Sequence, residues 1–121
     1  MHLITPRLIL RDFVIDDWPA VYDYQRDPRY LRFYDWEDRT EDEVSRFVQM
    51  FIDQQEQLPR TRYQLAVTLQ SDGRLIGNAG IRLAVAGAAE AEIGYEVRPD
   101  EWGRGYATEA AREIVRFGFE E

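Results

Sequence analysis

The chain of 121 residues has no cysteine, one histidine and no hydrophobic run long enough to cross a membrane. Without cysteine, disulfide bonds, thiolate catalysis and cysteine-based metal sites are excluded, and we predict no metal site. The histidine, His2, lies beside the amino terminus, where we expect the chain to fray, so we assign it no role. No amino-terminal apolar segment resembles a signal peptide, so we expect a cytoplasmic protein without membrane association.

Positive charge is also scarce, because 15 basic residues face 23 acidic ones and the net charge is −8. A general nucleic-acid binder should carry a basic face, so we predict no nucleic-acid binding. The acidic balance suits a cationic acceptor such as an amine, and it serves solubility equally well. The chain also lacks a Gly-Lys-Ser/Thr phosphate loop and a Rossmann glycine motif after a first strand, which leaves a nucleotide-binding domain poorly supported.

What is present suits one domain with a single core, since 45% of the residues are hydrophobic. Thr40 and Glu43 form a capping box ahead of an apolar helical stripe. Ser71-Asp72-Gly73-Arg74 has the composition of a hairpin turn. The patterns predict a strand, two helices and two strands: Leu8–Phe13, a helix from Asp16 to Asp27-Pro28, a helix from Thr40 to about Gln57, Tyr63–Leu69 and Leu75–Leu83. Tyr30–Arg39 is predicted as an aromatic connector that caps the core or borders a pocket, and Ala84–Ala89 as a turn.

The segment from Glu90 to Glu121 predicts a strand, a glycine turn and a helix. In the strand, Ala91, Ile93, Tyr95 and Val97 alternate with Glu90, Glu92, Gly94 and Glu96, which is typical of a half-buried strand. In the helix, the predicted apolar face consists of Ala107, Ala111, Ile114, Val115 and Gly118.

The turn between that strand and helix contains Gly103 and Gly105, which permit positive φ and close approach of a ligand. A turn that opens a helix points backbone N–H groups and the helix dipole at an anion. We therefore predict that a ligand phosphate lies on Gly103–Ala107, with Arg104 as a side-chain partner. The alternatives are a plain tight turn and a solvated arginine.

The run Gly103-Arg104-Gly105-Tyr106-Ala107-Thr108-Glu109-Ala110, preceded by Glu92-Ile93-Gly94-Tyr95, resembles the GNAT acetyltransferases. Within them it is similar to the branch that includes ribosomal-protein N-terminal acetyltransferases, as is Thr5-Pro6-Arg7-Leu8-Ile9-Leu10-Arg11. The superfamily signature has Gln or Arg, two residues, Gly, one residue, then Gly or Ala. Gly105 and Ala107 match its last two positions, whereas Trp102 occupies the Gln/Arg position in a form similar to that branch.

The resemblance implies an α+β, three-layer fold with a mostly antiparallel mixed sheet and helices on both faces. Over residues 1–121 it implies a single domain that ends after the cofactor-binding helix and lacks the family's final strand, helix and hairpin. The uncovered strand edge and apolar helix face that this would leave suggest a homodimer.

The resemblance also implies transfer of an acetyl group from acetyl-CoA to a primary amine, either a peptide amino terminus or a small amine, without a metal. Glu92 is the candidate general base, with a surface carboxylate as the alternative. The predicted cofactor-binding residues are Tyr95, Glu96, Val97, Trp102, Gly103, Arg104, Gly105, Tyr106, Ala107 and Thr108. The competing interpretation is a non-catalytic fragment that binds CoA or mediates dimerisation.

Overall fold

The computed structural model describes residues 1–34, 38–83 and 91–120. These residues form five strands, β1 (His2–Ile4), β2 (Leu8–Asp12), β3 (Arg62–Leu69), β4 (Leu75–Leu83) and β5 (Ala91–Val97). The same ranges contain four α-helices, α1 (Trp18–Gln25), α2 (Pro28–Phe33), α3 (Glu41–Gln55) and α4 (Tyr106–Glu120). Short 3-10 helices at Ile15–Asp17 and Pro99–Glu101 lead into α1 and into the turn before α4.

The strands form one sheet in chain order, and each pairs antiparallel with the next. Helix α4 packs on one face over a core that includes Leu8, Leu10, Leu65, Val67, Ile81, Ala110, Ile114 and Phe117. Helices α1–α3 pack on the other face over a core that includes Phe13, Val21, Tyr24, Tyr30, Val44, Val48, Phe51 and Ala66. The predicted class, an α+β fold with helices on both faces of a mostly antiparallel sheet, is confirmed.

Helix α3 begins as its sequence predicts. The Thr40 hydroxyl accepts a hydrogen bond from the Glu43 N–H, and the Glu43 carboxylate accepts one from the Thr40 N–H. These two bonds satisfy donors that the first helical turn would otherwise leave unpaired. The stripe Val44, Val48 and Phe51 is buried against the sheet.

Two elements escaped prediction. Strand β1 pairs His2 with Arg11 at one sheet edge, so the expectation that this terminus frays was wrong. Three residues are too few to show an alternating pattern.

Helix α2 is the second element. Asp27-Pro28 was expected only to end a helix, but the Asp27 carboxylate also caps the Arg29 N–H and Pro28 begins α2. Proline at a first helical position is favourable, and the predicted Tyr30–Arg39 connector is therefore helical through Phe33.

Strand β5 departs from the half-buried pattern predicted for it. Ile93 is 44% exposed and Tyr95 is 52% exposed, and only Val97 of the predicted apolar face is buried. Ile93 and Tyr95 are exposed because β5 is an edge strand of the described sheet. The core under α4 is formed by the inner strands β2, β3 and β4. The opposite face carries Glu96, which is only partly exposed.

The buried stripe of α4 is also shifted from the predicted one. It consists of Ala110, Ile114 and Phe117, whereas Val115 is 37% exposed. Helical periodicity identified an amphipathic helix, but the neighbouring small residues left the centre of its apolar face ambiguous. A Cβ on Gly118 would come 2.6 Å from the Ile81 side chain, so this glycine allows α4 to approach β4 closely.

Gly77 marks a close approach of β4 to β5, since a Cβ there would collide with the backbone carbonyl of Glu96. The register shift of this hairpin lies in β3, between Val67 and Thr68. The predicted turn at Ala84–Ala89, the strand residue Glu90, and Trp36 and Glu37 of the connector lie outside the described residues.

Candidate functional site

Strand β5 has an open edge next to the glycine turn. The described part of the chain places β4 on one side of β5 and no strand on the other. Val97 directs its backbone toward this open edge, where its N–H donates to the Tyr34 hydroxyl (3.4 Å) and its carbonyl accepts from the Trp102 indole (2.8 Å). Every second residue of a strand points its N–H and C=O groups to the same side. The backbone N–H and C=O of Tyr95 therefore also point to the open edge.

Side chains therefore already occupy part of the edge that contains the predicted cofactor-binding residues Tyr95 and Val97. Phe33 packs against both Tyr34 and Trp102, with ring centroids 5.0 and 5.1 Å apart. Burial raises the pKa of Tyr34. The aromatic group Phe33, Tyr34 and Trp102 thus borders β5 where it leads into the turn.

The turn that follows has the conformation that the glycines predicted. Gly103 has φ +80° and Gly105 has φ +82°. A Cβ on Gly103 would meet nothing within 4 Å, so the space outside this residue is open. Helix α4 then starts at Tyr106, and the N–H groups of its first turn have no intrahelical acceptor. The turn and the fifteen-residue helix together present donors and a positive dipole end to solvent.

Arg7, which lies just before β2, contacts both this turn and the first turn of α4. Its Nε donates to Glu109 (2.7 Å), one terminal nitrogen donates to the Arg104 carbonyl (2.9 Å), and its guanidinium lies 4.4 Å from the centre of the Tyr106 ring. A Cβ on Gly105 would lie 3.3 Å from the other terminal nitrogen. Arg7 thus places a cation beside the predicted phosphate position.

Glu109 fixes the Arg7 side chain. Besides the guanidinium, its carboxylate accepts from the Arg7 backbone N–H (2.9 Å) and the Thr5 hydroxyl. Burial acts to raise the pKa of Glu109, but the hydrogen bonds from Thr5 and Arg7 outweigh it and hold the pKa below its usual value. Thr5, Arg7 and Glu109 are hereafter called the clamp.

A cleft of about 450 Å³ opens on the other face of the sheet, between β3–β5 and the α2–α3 side. Its floor includes Gln64, Asn78, Gly94 and Glu96, and Tyr95 lies at the boundary between the cleft and the β5 edge. Pockets of this size bury small ligands.

Glu96 is the carboxylate among the described residues that line this cleft, and four donors hold it. They are the hydroxyls of Tyr24 (2.6 Å) and Tyr30 (2.7 Å) and the side-chain amides of Gln25 (2.8 Å) and Asn78 (2.7 Å). Three of these donors bond Oε1 and the Tyr30 hydroxyl bonds Oε2, so both oxygens of the carboxylate are held in place. Burial, and then the charge of Glu96, raise the pKa of both Tyr24 and Tyr30 well above the usual value.

The structure brings most of the predicted site residues together. Tyr95, Val97 and Trp102 border the open edge, and residues 103–108 form the turn and the start of α4. The Arg104 side chain is 61% exposed and lies 3.6 Å from Glu101. Glu92 is exposed on the same face of β5 as Glu96, outside the described lining of the cleft.

Sequence reasoning missed the contribution of Arg7, Glu109 and the network around Glu96. In the clamp, Glu109 lies 104 positions from Thr5 and 102 positions from Arg7, and only the tertiary fold brings it into contact with them. The polar partners of Glu96 come from α1, α2 and β4. No local spacing could have signalled either group.

Comparison with known proteins decides the family. Residues 7–121 match the family model described as an acetyltransferase (GNAT) domain. The chain belongs to the GNAT acetyltransferase family. It is 34% identical over 122 residues to the uncharacterized N-acetyltransferase YnaD of Bacillus subtilis (strain 168), a match that covers 100% of this chain and 67% of YnaD.

Solved GNAT structures share the fold. An acetyltransferase (GNAT family) from Bacillus anthracis superposes with a TM-score of 0.78 at 27% identity, over 99% of this chain and 67% of that one. The microcin C7 self-immunity acetyltransferase MccE, solved with acetyl-CoA and AMP, superposes with a TM-score of 0.75 at 14% identity, over 93% of this chain and 63% of MccE. The chain thus spans about two thirds of the length of these relatives.

None of the helices in the described residues combines the length and apolar character needed to cross a membrane. Likewise, the described ranges contain no group of three or more histidine, aspartate or glutamate side chains placed to hold a metal ion.

Proposed function

We propose that this chain transfers the acetyl group of acetyl-CoA directly to an amine, either a peptide amino terminus or a small amine. The observation that carries the proposal is the open edge of β5 running into a turn with two positive-φ glycines at the start of α4. The clamp supports it by placing the Arg7 cation beside that turn.

The cofactor would bind mainly through the backbone. The pyrophosphate fits the N–H groups of residues 103–107 and the dipole of α4. The pantetheine amides fit the open edge at Tyr95 and Val97, in the manner of an added strand. Pairing at Val97 requires the Tyr34 hydroxyl and the Trp102 indole to give up their bonds to it. We place Trp102, Tyr106 and Thr108 around the bound cofactor. Glu96 contributes indirectly, by holding β5 in place.

The chemistry needs few side chains. The neutral amine nitrogen attacks the thioester carbon, the C–N bond forms and the C–S bond breaks. The amine loses one proton, and the leaving thiolate takes one up. A backbone N–H of the β5 edge is suited to stabilise the negative charge on the carbonyl oxygen.

Glu92 remains the candidate for proton removal. Glu96 is nearer the cleft, but its oxygens already accept hydrogen bonds from four side chains of α1, α2 and β4, so we assign it to holding β5 in place. Glu92 lies on the same face of β5, and no described residue donates a hydrogen bond to its carboxylate. A base acting through one water is compatible with this placement.

Amine-dependent release of free CoA thiol tests the proposal. The chain is mixed with acetyl-CoA and, separately, a peptide with a free amino terminus, a polyamine and ethanolamine, and the products are weighed by mass spectrometry. We expect thiol release that requires an amine and yields its acetylated form. CoA binding with no release for any amine would contradict the catalytic proposal.

That negative outcome would instead support a second candidate function, a CoA-binding or dimerisation module. The exposed side chains of β5 favour such a module, because Ile93 and Tyr95 lie at the open edge with about half of each side chain in contact with water. Such an edge is a site of strand association.

A further inference from the structure

The cleft beside β5 carries a local charge of opposite sign to that of the whole chain. Arg39, Arg62 and Arg82 line it, and Glu96 is the carboxylate among its described lining residues. The four donors bonded to the Glu96 oxygens are neutral, and among the described residues no ion pair joins Glu96 to Arg62 or Arg82. A chain of net charge −8 therefore places at this cleft two cations that Glu96 does not pair.

Arg62 and Arg82 lie close enough to repel each other, which destabilises the fold unless an anion lies near them. Arg62 and Arg82 are direct partners in the register of β3 and β4, so their side chains leave the sheet on the same face. Like charges directly opposite in an antiparallel pair are destabilising. Glu92 lies opposite Arg82 in the next ladder, yet no ion pair among the described residues includes Arg62 or Arg82.

The geometry directs these cations into the cleft. The Arg82 guanidinium lies 3.5 Å from where a Cβ on Gly94 would be, so it lies over β5, beside the cleft floor. Arg39 enters from the α3 side, with its guanidinium 5.1 Å from the centre of the Phe47 ring. Planar guanidinium groups bind carboxylates and phosphates through paired hydrogen bonds.

We propose that the acceptor amine carries an anionic group, a carboxylate or a phosphate, that binds between Arg62 and Arg82. This inference rests on the proposed acetyl transfer, and it names the class of the amine. With the anion at the arginine pair, the cleft extends past Gly94 to Tyr95, where the amine meets the open edge of β5. The overall acidic charge suits a cationic acceptor, but the arginines at the cleft disfavour an acceptor that carries several positive charges and no anionic group.

Matched acceptors test the proposal in the full chain. L-phenylalanine is compared with phenylalaninamide, and phosphoethanolamine with ethanolamine, by kcat/KM for amine-dependent thiol release. The two comparisons also distinguish a carboxylate ligand from a phosphate. We expect the anionic member of at least one comparison to be preferred about 10- to 100-fold, the range typical of a charged hydrogen-bonded contact. The amino group of phenylalaninamide is the more easily deprotonated of its pair, so intrinsic reactivity works against this expected result.

The double variant R62Q/R82Q assigns the preference to the arginine pair. It should lose the preference and retain its affinity for CoA, whereas Arg46→Gln on the outer face of α3 should behave as the parent. Equal kcat/KM for charged and neutral members, or a preference unchanged in R62Q/R82Q, would overturn the inference while leaving acetyl transfer intact.

A readout without turnover covers the case in which no acceptor reacts. Thermal unfolding is followed with CoA saturating, in sodium malonate and in sodium chloride of equal ionic strength. Malonate should raise the Tm of the parent and of Arg46→Gln, and not that of R62Q/R82Q. A malonate shift of equal size in all three would overturn the inference, independently of whether acetyl transfer is observed.

Discussion

Glu92 and Glu96 lie on one face of β5, four residues apart, yet the structure gives them different surroundings. Glu96 is held by two tyrosine hydroxyls and two amides from three other elements. Glu92 is exposed. The contrast separates a carboxylate that fixes the position of β5 from one with lone pairs available to substrate.

Replacing Glu96 by Gln should destabilise the fold. With its oxygen in place of Oε1, the amide would keep three acceptor bonds but turn its NH₂ group toward the Tyr30 hydroxyl, and the remaining bonds would lose their charge. We expect a loss of about 2–3 kcal/mol in the free energy of unfolding, measured by urea denaturation. Glu92→Gln is the matched control and should change stability by no more than about 0.5 kcal/mol. Equal stability of the two variants would contradict this role for Glu96.

Glu92→Gln should instead reduce turnover with little loss of CoA affinity. A general base contributes about 100- to 10,000-fold, and the measurement is kcat for thiol release with an accepted amine. Glu41→Gln, an exposed carboxylate in the first turn of α3, is the control. A rate within twofold of the parent would assign Glu92 to the protein surface.

The clamp joins elements from opposite ends of the chain. Arg7 precedes β2 and Glu109 lies in the first turn of α4, and their contact orients the turn that contains Gly103 and Gly105. The clamp therefore couples the sheet to the proposed phosphate site. The effect of Arg7 on the cofactor would be both electrostatic and geometric.

Arg7→Met should weaken CoA binding about 10- to 100-fold, because it removes a cation beside the pyrophosphate and leaves Glu109 without its charged partner. Arg7→Lys should restore only part of the affinity, since an ammonium cannot reproduce the two-sided contact of a guanidinium. Arg116→Met, which breaks the ion pair with Glu113 on the same helix, is the control. Calorimetry with CoA measures all three, and parental affinity in Arg7→Met would refute the clamp's role.

Prediction from sequence succeeded where information is local. The capping box of α3, the turn at Ser71–Arg74 and the positive φ of two glycines each depend on a few adjacent residues. It failed where the answer depends on the tertiary position of an element. The exposure of Ile93 follows from the edge location of β5, and the network around Glu96 joins residues up to 72 positions apart.

The two edges of the described sheet are unlike. At one edge, β1 exposes Ile4 (67%), and at the other, β5 exposes Ile93 and Tyr95 beside the glycine turn. The second edge combines unpaired backbone groups with contiguous apolar side chains, which is a template for association. Each Å² of apolar surface removed from water contributes about 25 cal/mol.

We therefore predict that, in the absence of CoA, which would occupy the same edge, the chain forms a homodimer through the β5 edge. Light scattering across a concentration series should show a rising mass for the parent and for Ile4→Lys at the opposite edge. Ile93→Lys should remain monomeric, because a charge cannot be buried there without a partner. A parent chain that stays monomeric at high concentration would show that this edge does not self-associate.

Titration calorimetry of CoA into three matched proteins tests the proposed site most directly. Gly73 and Gly105 both have positive φ, and a Cβ strains each of them, but only Gly105 lies in the turn before α4. We predict that the parent and Gly73→Val bind CoA with equal affinity, whereas Gly105→Val shows no measurable binding. Unchanged affinity in Gly105→Val would contradict the assignment of this turn as the pyrophosphate site.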